Sequence, residues 1–147
     1  MDNAICMDNA ICMEYVVPGD DFTRAGEASA NMKQSLKRLG VPAAAVRRAA
    51  IALYEGEINL AIHASGGRIR VEVTPDTIAM HLEDDGPGIA DIPLAMSEGY
   101  TTAPAEVRSL GFGAGMGLPN MKKYTDTFDI QSTVGVGTTI NMSVSIA

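Results

Sequence analysis

Between residues 41 and 84 the hydrophobic period of the chain changes once, from that of a helix to that of a strand. "VPAAAVRRAAIALYEGEINLAIHASGG" has Pro42 near its start and Gly66-Gly67 past its end, the asymmetry of a helix. At 100° per residue, Ile51, Tyr54, Ile58, Ala61 and Ile62 fall on one apolar stripe. "RIRVEV" then alternates with period two. It sends Ile69, Val71 and Val73 to a core and Arg68, Arg70 and Glu72 to water. A long helix with a stripe to bury, followed by strands buried on one face, restricts the chain to helices laid on a sheet.

The remaining segments agree. "MEYVVPGDDF" reads as a first strand and "TRAGEASANMKQSLKRLG" as a helix ended by Gly40. Arg68–Val73 and Thr77–Asp84 read as a hairpin around Pro75-Asp76. A long loop follows, with one short helix near Ile92–Met96, and its length marks it as functional or mobile. "MGLPNMKKYTD" reads as a third helix, and "TFDIQSTVGVGTTINMSVSIA" as a hairpin turning at Gly135–Gly137. The predicted fold class is an α+β two-layer sandwich, a mixed β-sheet with helices packed on one face.

The 147 residues suit one domain. The start, "MDNAICMDNAIC", is a duplicated hexapeptide holding both cysteines, Cys6 and Cys12. It reads either as a metal or disulfide site or as a duplicated start or expression scar. Residues 1–12 are expected to be disordered, and 13–147 to form the domain. The net charge of −7 opposes nucleic acid and favours a protein partner with basic patches. No apolar run approaches a membrane span, and the acidic N-terminus lacks a basic leader, so a cytoplasmic protein is expected.

Strand parity picks out two polar residues. Ile78, Met80 and Leu82 share a face, and Asp84 follows in the same parity as the strand ends in "DDGPG". A carboxylate aimed at the apolar side needs a partner. The exocyclic amine of a purine would serve, and so would the turn at Gly86–Gly88. In the last strand Ile140, Met142, Val144 and Ile146 face inward, and Thr138 shares their parity. On the long helix, Glu55, Asn59 and His63 recur at four-residue spacing. A carboxylate there can act as a base and an amide oxygen can bind Mg²⁺, or the three line a solvated face.

Seven of the 15 glycines fall between Gly86 and Gly117. Gly111, Gly113, Gly115 and Gly117 alternate just before a helix. The spacing is neither that of a P-loop nor that of a dinucleotide fingerprint. Bare amides leading into a helix N-terminus still suit a polyphosphate.

"YEGEINLAIH", "EDDGPGI", "GFGAGMGL" and "GVGTT", in that order, resemble the sequence boxes of the GHKL ATPases, which include gyrase, sensor histidine kinases and MutL. The resemblance covers roughly residues 13–147 and implies the Bergerat ATP-binding fold. Gyrase-like relatives use further domains, and a sensor kinase needs an upstream phospho-acceptor His; His63 and His81 both lie inside this domain. The expectation is therefore the stand-alone anti-sigma factor and serine kinase group. "MSEGYTT" and "GLPNMKKYTD" look most like its RsbT-type branch.

The resemblance implies ATP and Mg²⁺ as cofactors, Glu55 as general base and Asn59 as Mg²⁺ ligand. Asp84 would bind adenine with support from Thr138, and Gly86 and Gly88 would shape that end of the pocket. Gly113, Gly115 and Gly117 would approach the phosphates, and residues 98–114 would form a lid. Two residues depart from the pattern: Leu60 is larger than usual, and Gly56 lies mid-helix at a cost of about 1 kcal/mol against Ala. The implied function is an ATP-dependent serine/threonine protein kinase acting on a STAS-domain antagonist. The alternative is a nucleotide-gated module that sequesters a sigma-like regulator without turnover. Many relatives dimerise, so a homodimer is admitted, although no residue here fixes an interface.

Overall fold

The computed structural model describes residues 4–5, 10–19, 24, 26–63, 66–96 and 117–146. The strands are β1 (Ala4–Ile5), β2 (Ile11–Pro18), β3 (Gly66–Val73), β4 (Thr77–Asp84), β5 (Thr127–Thr133) and β6 (Gly137–Ser145). The helices are α1 (Glu27–Arg38), α2 (Ala43–His63), α3 (Ile92–Ala95) and α4 (Gly117–Lys123). β2 starts ahead of the expected boundary at Met13: Ile11 and Cys12 belong to it and pair with Ile5 and Ala4. Cys12 is buried and disulfide-bonded. Among the described residues no helix is long and apolar enough to cross a membrane.

The sheet order is β1-β2-β3-β4-β6-β5. Every pairing is antiparallel, where a mixed sheet was expected. The reason lies in the last hairpin. The long connection after β4 does return the chain in the same direction, as β5. β6 then folds back and takes the place beside β4, so no two neighbours run parallel.

One face of the sheet carries the core. Met13, Tyr15 and Val17, Ile69, Val71 and Val73, Ile78, Met80 and Leu82, and Ile140, Met142 and Val144 are all buried there, as strand alternation requires. The helices cover this face. α2 lies against β2, β3, β4 and β6 and contacts α1 and α4 as well. Its stripe differs from the one expected. Tyr54 is 38% exposed and Ile51 half-buried, while Ala49, Ala52, Leu53, Gly56, Glu57 and Leu60 are buried along with the expected Ile58 and Ala61. A helix covered by a sheet and two helices is buried over so wide an arc that apolar periodicity cannot single out one face.

Small residues mark where α2 comes closest. A Cβ on Gly56 would overlap Leu82 Cδ2 of β4 and lie 3.4 Å from Met121 Sδ of α4. The glycine that weakens the isolated helix is therefore what lets it seat on the sheet. The unusual size of Leu60 is accommodated in the same way: a Cβ on Gly67 of β3 would sit 2.9 Å from Leu60 Cδ2. Tyr54, turned away from the core, covers the start of α1 with Cε1 3.1 Å from the Cβ position of Gly26.

Candidate functional site

The site lies where β4 ends, β6 begins and the C-terminal half of α2 meets α4. Asp84 ends β4 and is 9% exposed. Its Cα partner in β6 is Thr138, 8% exposed. The parity of two separate strands thus places a carboxylate and a hydroxyl side by side. Asp84 Oδ1 accepts the Gly86 amide at 2.7 Å, so the turn-capping contact open at the sequence level is made. It uses only one oxygen. Among the described residues no hydrogen bond engages Oδ2, and no buried side-chain oxygen lacks a partner, so Oδ2 faces solvent. An amine donor reaching Oδ2 would find an acceptor there.

The turn beneath Asp84 is held by the last hairpin. Thr138 Oγ1 lies 2.8 Å from Ser132 Oγ, which accepts the Ile89 amide at 2.7 Å and lies 3.2 Å from the Gly137 carbonyl oxygen. Gly88 has φ +79°, and a Cβ there would lie 2.5 Å from the Thr133 carbonyl oxygen. The hairpin itself therefore requires Gly88 to be bare. Gly86 contributes its amide to Asp84.

Glu55 and Asn59 are both half-buried, one turn apart on α2. Burial pushes the Glu55 carboxyl above its ordinary range, while a hydrogen bond from the Asn120 side chain pulls it back. Asn120 comes from α4, whose first residue also faces Glu55: a Cβ on Gly117 would lie 3.5 Å from Glu55 Oε2. α4 thus starts against the carboxylate. Asn59 has no side-chain hydrogen bond among the described residues, leaving its amide oxygen open to a hard cation. Mg²⁺ keeps several waters and takes phosphate oxygens, so one protein amide suits it. No cluster of three metal-binding side chains occurs among the described residues. Gly113, Gly115, the 98–114 segment and the His63 side chain lie outside the described residues.

Three residues of this region were not singled out in the sequence. Asn120 and Ser132 belong to it only through tertiary contacts. Glu57 is the third: it is 2% exposed, and its Oε2 and Oε1 accept the Ala28 and Ser29 amides, each at 3.0 Å. α1 begins after Gly26, which has a left-handed backbone and no side chain to cap it. A carboxylate from α2 supplies that cap instead. The available signal was an acidic residue in the buried arc of a helix beside another helix lacking an N-cap. Glu57→Ala is expected to cost about 2–3 kcal/mol by leaving two buried amides unpaired. Urea unfolding followed by far-ultraviolet circular dichroism measures it, and a loss below about 0.5 kcal/mol would refute the cap.

Comparison with known proteins identifies the family. Residues 47–147 match the family model described as histidine kinase-, DNA gyrase B-, and HSP90-like ATPase. The chain is 33% identical over 108 residues to the serine/threonine-protein kinase RsbT of Bacillus subtilis, covering 71% of this chain and 75% of that one. It is 36% identical over 97 residues to an anti-sigma F factor of Clostridium novyi, covering 62% and 64%. An anti-sigma F factor of Caldanaerobacter subterraneus is 33% identical over 97 residues, covering 63% and 64%. The chain thus spans just under two thirds of these anti-sigma factors. The mycobacterial sensor histidine kinase MprB shares the fold, with a TM-score of 0.51 at 17% identity over 90% of this chain and 96% of that one. The match over more than half of its length makes this chain a member of the histidine kinase-, DNA gyrase B- and HSP90-like ATPase family, and ATP binding is what that membership implies.

Proposed function

We propose that the protein is an ATP-dependent regulatory serine/threonine kinase of the switch-kinase type, acting on a small STAS-like protein. The observation that carries this reading is the meeting of Glu55, lifted by burial, with Asn59 one turn on and the start of α4. Asp84, through its open Oδ2, would receive the adenine amine, with Thr138 steadying that edge. Asn59 would hold Mg²⁺, which when bound supplies charge neutralisation at the phosphates. Gly117, with Gly113 and Gly115, would allow close approach to the phosphates. Glu55 would take the proton of the acceptor serine hydroxyl as that oxygen bonds to the γ-phosphorus and ADP leaves. The similarity to RsbT supports a kinase, and the cytoplasm is the setting such a role suggests.

The test is calorimetric titration of ATP with Mg²⁺ into wild type and Asp84→Asn. Replacing an acceptor oxygen by an NH₂ donor at a buried contact is expected to weaken binding about a hundredfold or more. Wild type that fails to bind ATP would remove the proposal, and equal binding by the mutant would remove the role of Asp84. The anti-sigma factor matches favour a second reading, a nucleotide-gated binding module for a sigma-like regulator. Tight ATP binding, no label transfer to a STAS protein, and partner binding unaffected by Glu55→Ala would select it.

A further inference from the structure

The cations of this acidic chain are unevenly placed. Residues 28–54 hold Lys33, Lys37, Arg38, Arg47 and Arg48 and no Asp or Glu, in a chain with 18 carboxylates and a net charge of −7. The fold gathers most of them at one end. α1 and α2 join through the turn at residues 39–42, which places Lys37 and Arg38 beside the start of α2. Arg48 of α2 donates to Asp126 at 3.1 and 3.3 Å. Asp126 follows directly on α4, whose last turn carries Lys122 and Lys123. Asp126 also meets Ser145, the partner of Thr77 at the start of β4, so this end lies at the other end of that strand from Asp84.

Helix stability explains only part of the arrangement. Lys37, Arg38, Lys122 and Lys123 sit in last turns, where positive charge is favoured. Lys33 is four residues from Lys37, a repulsive spacing for like charges. Arg47 is near the start of α2, whose first turn holds no acid. No ion pair engages Lys33, Lys37, Arg38, Arg47, Lys122 or Lys123 among the described residues. Of the nearby carboxylates, Asp126 is committed to Arg48 and to the Ser145 amide at 2.6 Å, leaving Asp76 in the β3–β4 turn. At the tip between the two helices Leu39 is 38% exposed.

We propose that this end, formed by the α1–α2 turn and the last turn of α4, is a docking surface for an acidic protein segment carrying an apolar side chain. Lys37 and Arg38 directly precede the exposed Leu39, so cations without an ion pair among the described residues stand beside an apolar side chain, the pairing of polar rim and apolar centre that interfaces use. Charge complementarity specifies the partner, steering it and fixing its register. A nucleic acid fits less well: the rest of the molecule repels a polyanion. The inference rests on surface charge and an exposed apolar side chain rather than on the chemistry at Glu55, so it does not depend on phosphotransfer.

The experiment uses a short fluorescein-labelled peptide alternating Glu and Leu, its Gln-for-Glu counterpart, single-stranded DNA and phosphatidylserine vesicles. Anisotropy, or sedimentation for the vesicles, is measured at low and at physiological ionic strength. Wild type is expected to bind the Glu peptide, more weakly as salt rises, and the Gln peptide at least tenfold more weakly. Lys37→Glu/Arg38→Glu/Arg47→Glu should lower Glu-peptide affinity at least tenfold with melting temperature and ATP affinity unchanged. Lys122→Glu/Lys123→Glu should lower it less and provides a second variant if the first fails to fold. No Glu-peptide binding, equal binding of the Gln peptide, unchanged binding by the folded variants, or tighter binding of DNA or vesicles would each overturn the proposal.

Discussion

Glu55→Gln is expected to lower phosphotransfer to a serine acceptor about a hundred- to ten-thousand-fold, with ATP affinity changed no more than about threefold. The split follows from where Glu55 sits. Its carboxylate faces the start of α4, with Asn120 and Gly117 against it, while Asp84, proposed to receive the purine, is on β4. A base must be ionised to accept a proton, and burial raises the Glu55 carboxyl above the ordinary glutamate range. Activity should therefore rise with pH through a midpoint above that range. Asn120 exerts the opposing, lowering influence, so Asn120→Ala should move this acid limb to still higher pH. The same shift has a sign for stability. The folded state holds the Glu55 proton more tightly than the unfolded state. The contribution is therefore fully present below the unfolded value and lost as pH rises through the folded one. Steady-state assays across pH would check the kinetic prediction; an acid limb that persists in Glu55→Gln would assign it to another group.

Gly137→Ala should produce the largest loss of stability, about 2–4 kcal/mol, and should weaken ATP binding with it. Gly137 has φ +148°, a conformation that a side chain strains, and an added Cβ would overlap the Asp84 carbonyl oxygen and lie 3.2 Å from Asp85 Cα. The obstruction is backbone, which cannot rotate aside as a side chain does. Relief requires β6 to draw away from β4 at the Asp84–Thr138 pair. Gly135→Ala is the control within the same turn. Its φ of +82° carries the conformational penalty, but a Cβ there meets nothing within 4 Å. A deficit in Gly137→Ala no larger than in Gly135→Ala would show that the contact with Asp84 does not matter.

Strand alternation was the most readable feature of this chain. It placed Ile69, Val71 and Val73 on the buried face and aligned Asp84 with Thr138, because a period of two leaves no latitude for which face a residue takes. Helix α2 was less readable. Ala49, Ala52 and Gly56 face the sheet because they are small, and size rather than hydropathy records a close helix–sheet approach. The antiparallel pairing of β4 with β6 was hidden because a strand's neighbour depends on how a hairpin folds back. Glu57 was hidden for a related reason. Nothing local distinguishes a carboxylate that caps a helix 28 or 29 residues away from one on a solvated face. Roles inferred for Glu55, Asn59 and the glycines rest on resemblance, and the titrations above are their test.

The pairing of Asp84 with Thr138 also bears on how the molecule comes into being. The two residues lie some fifty positions apart, so closing the contact carries the entropy cost of a long loop. During synthesis β2, α1, α2 and the β3–β4 hairpin emerge from the ribosome well before β6 exists. Until then β4 has an open edge and Asp84 has no facing hydroxyl. The nascent domain is thus expected to be incompetent for nucleotide until β6 docks. Its vulnerable interval, with one edge of a central strand exposed, lasts until β6 has followed.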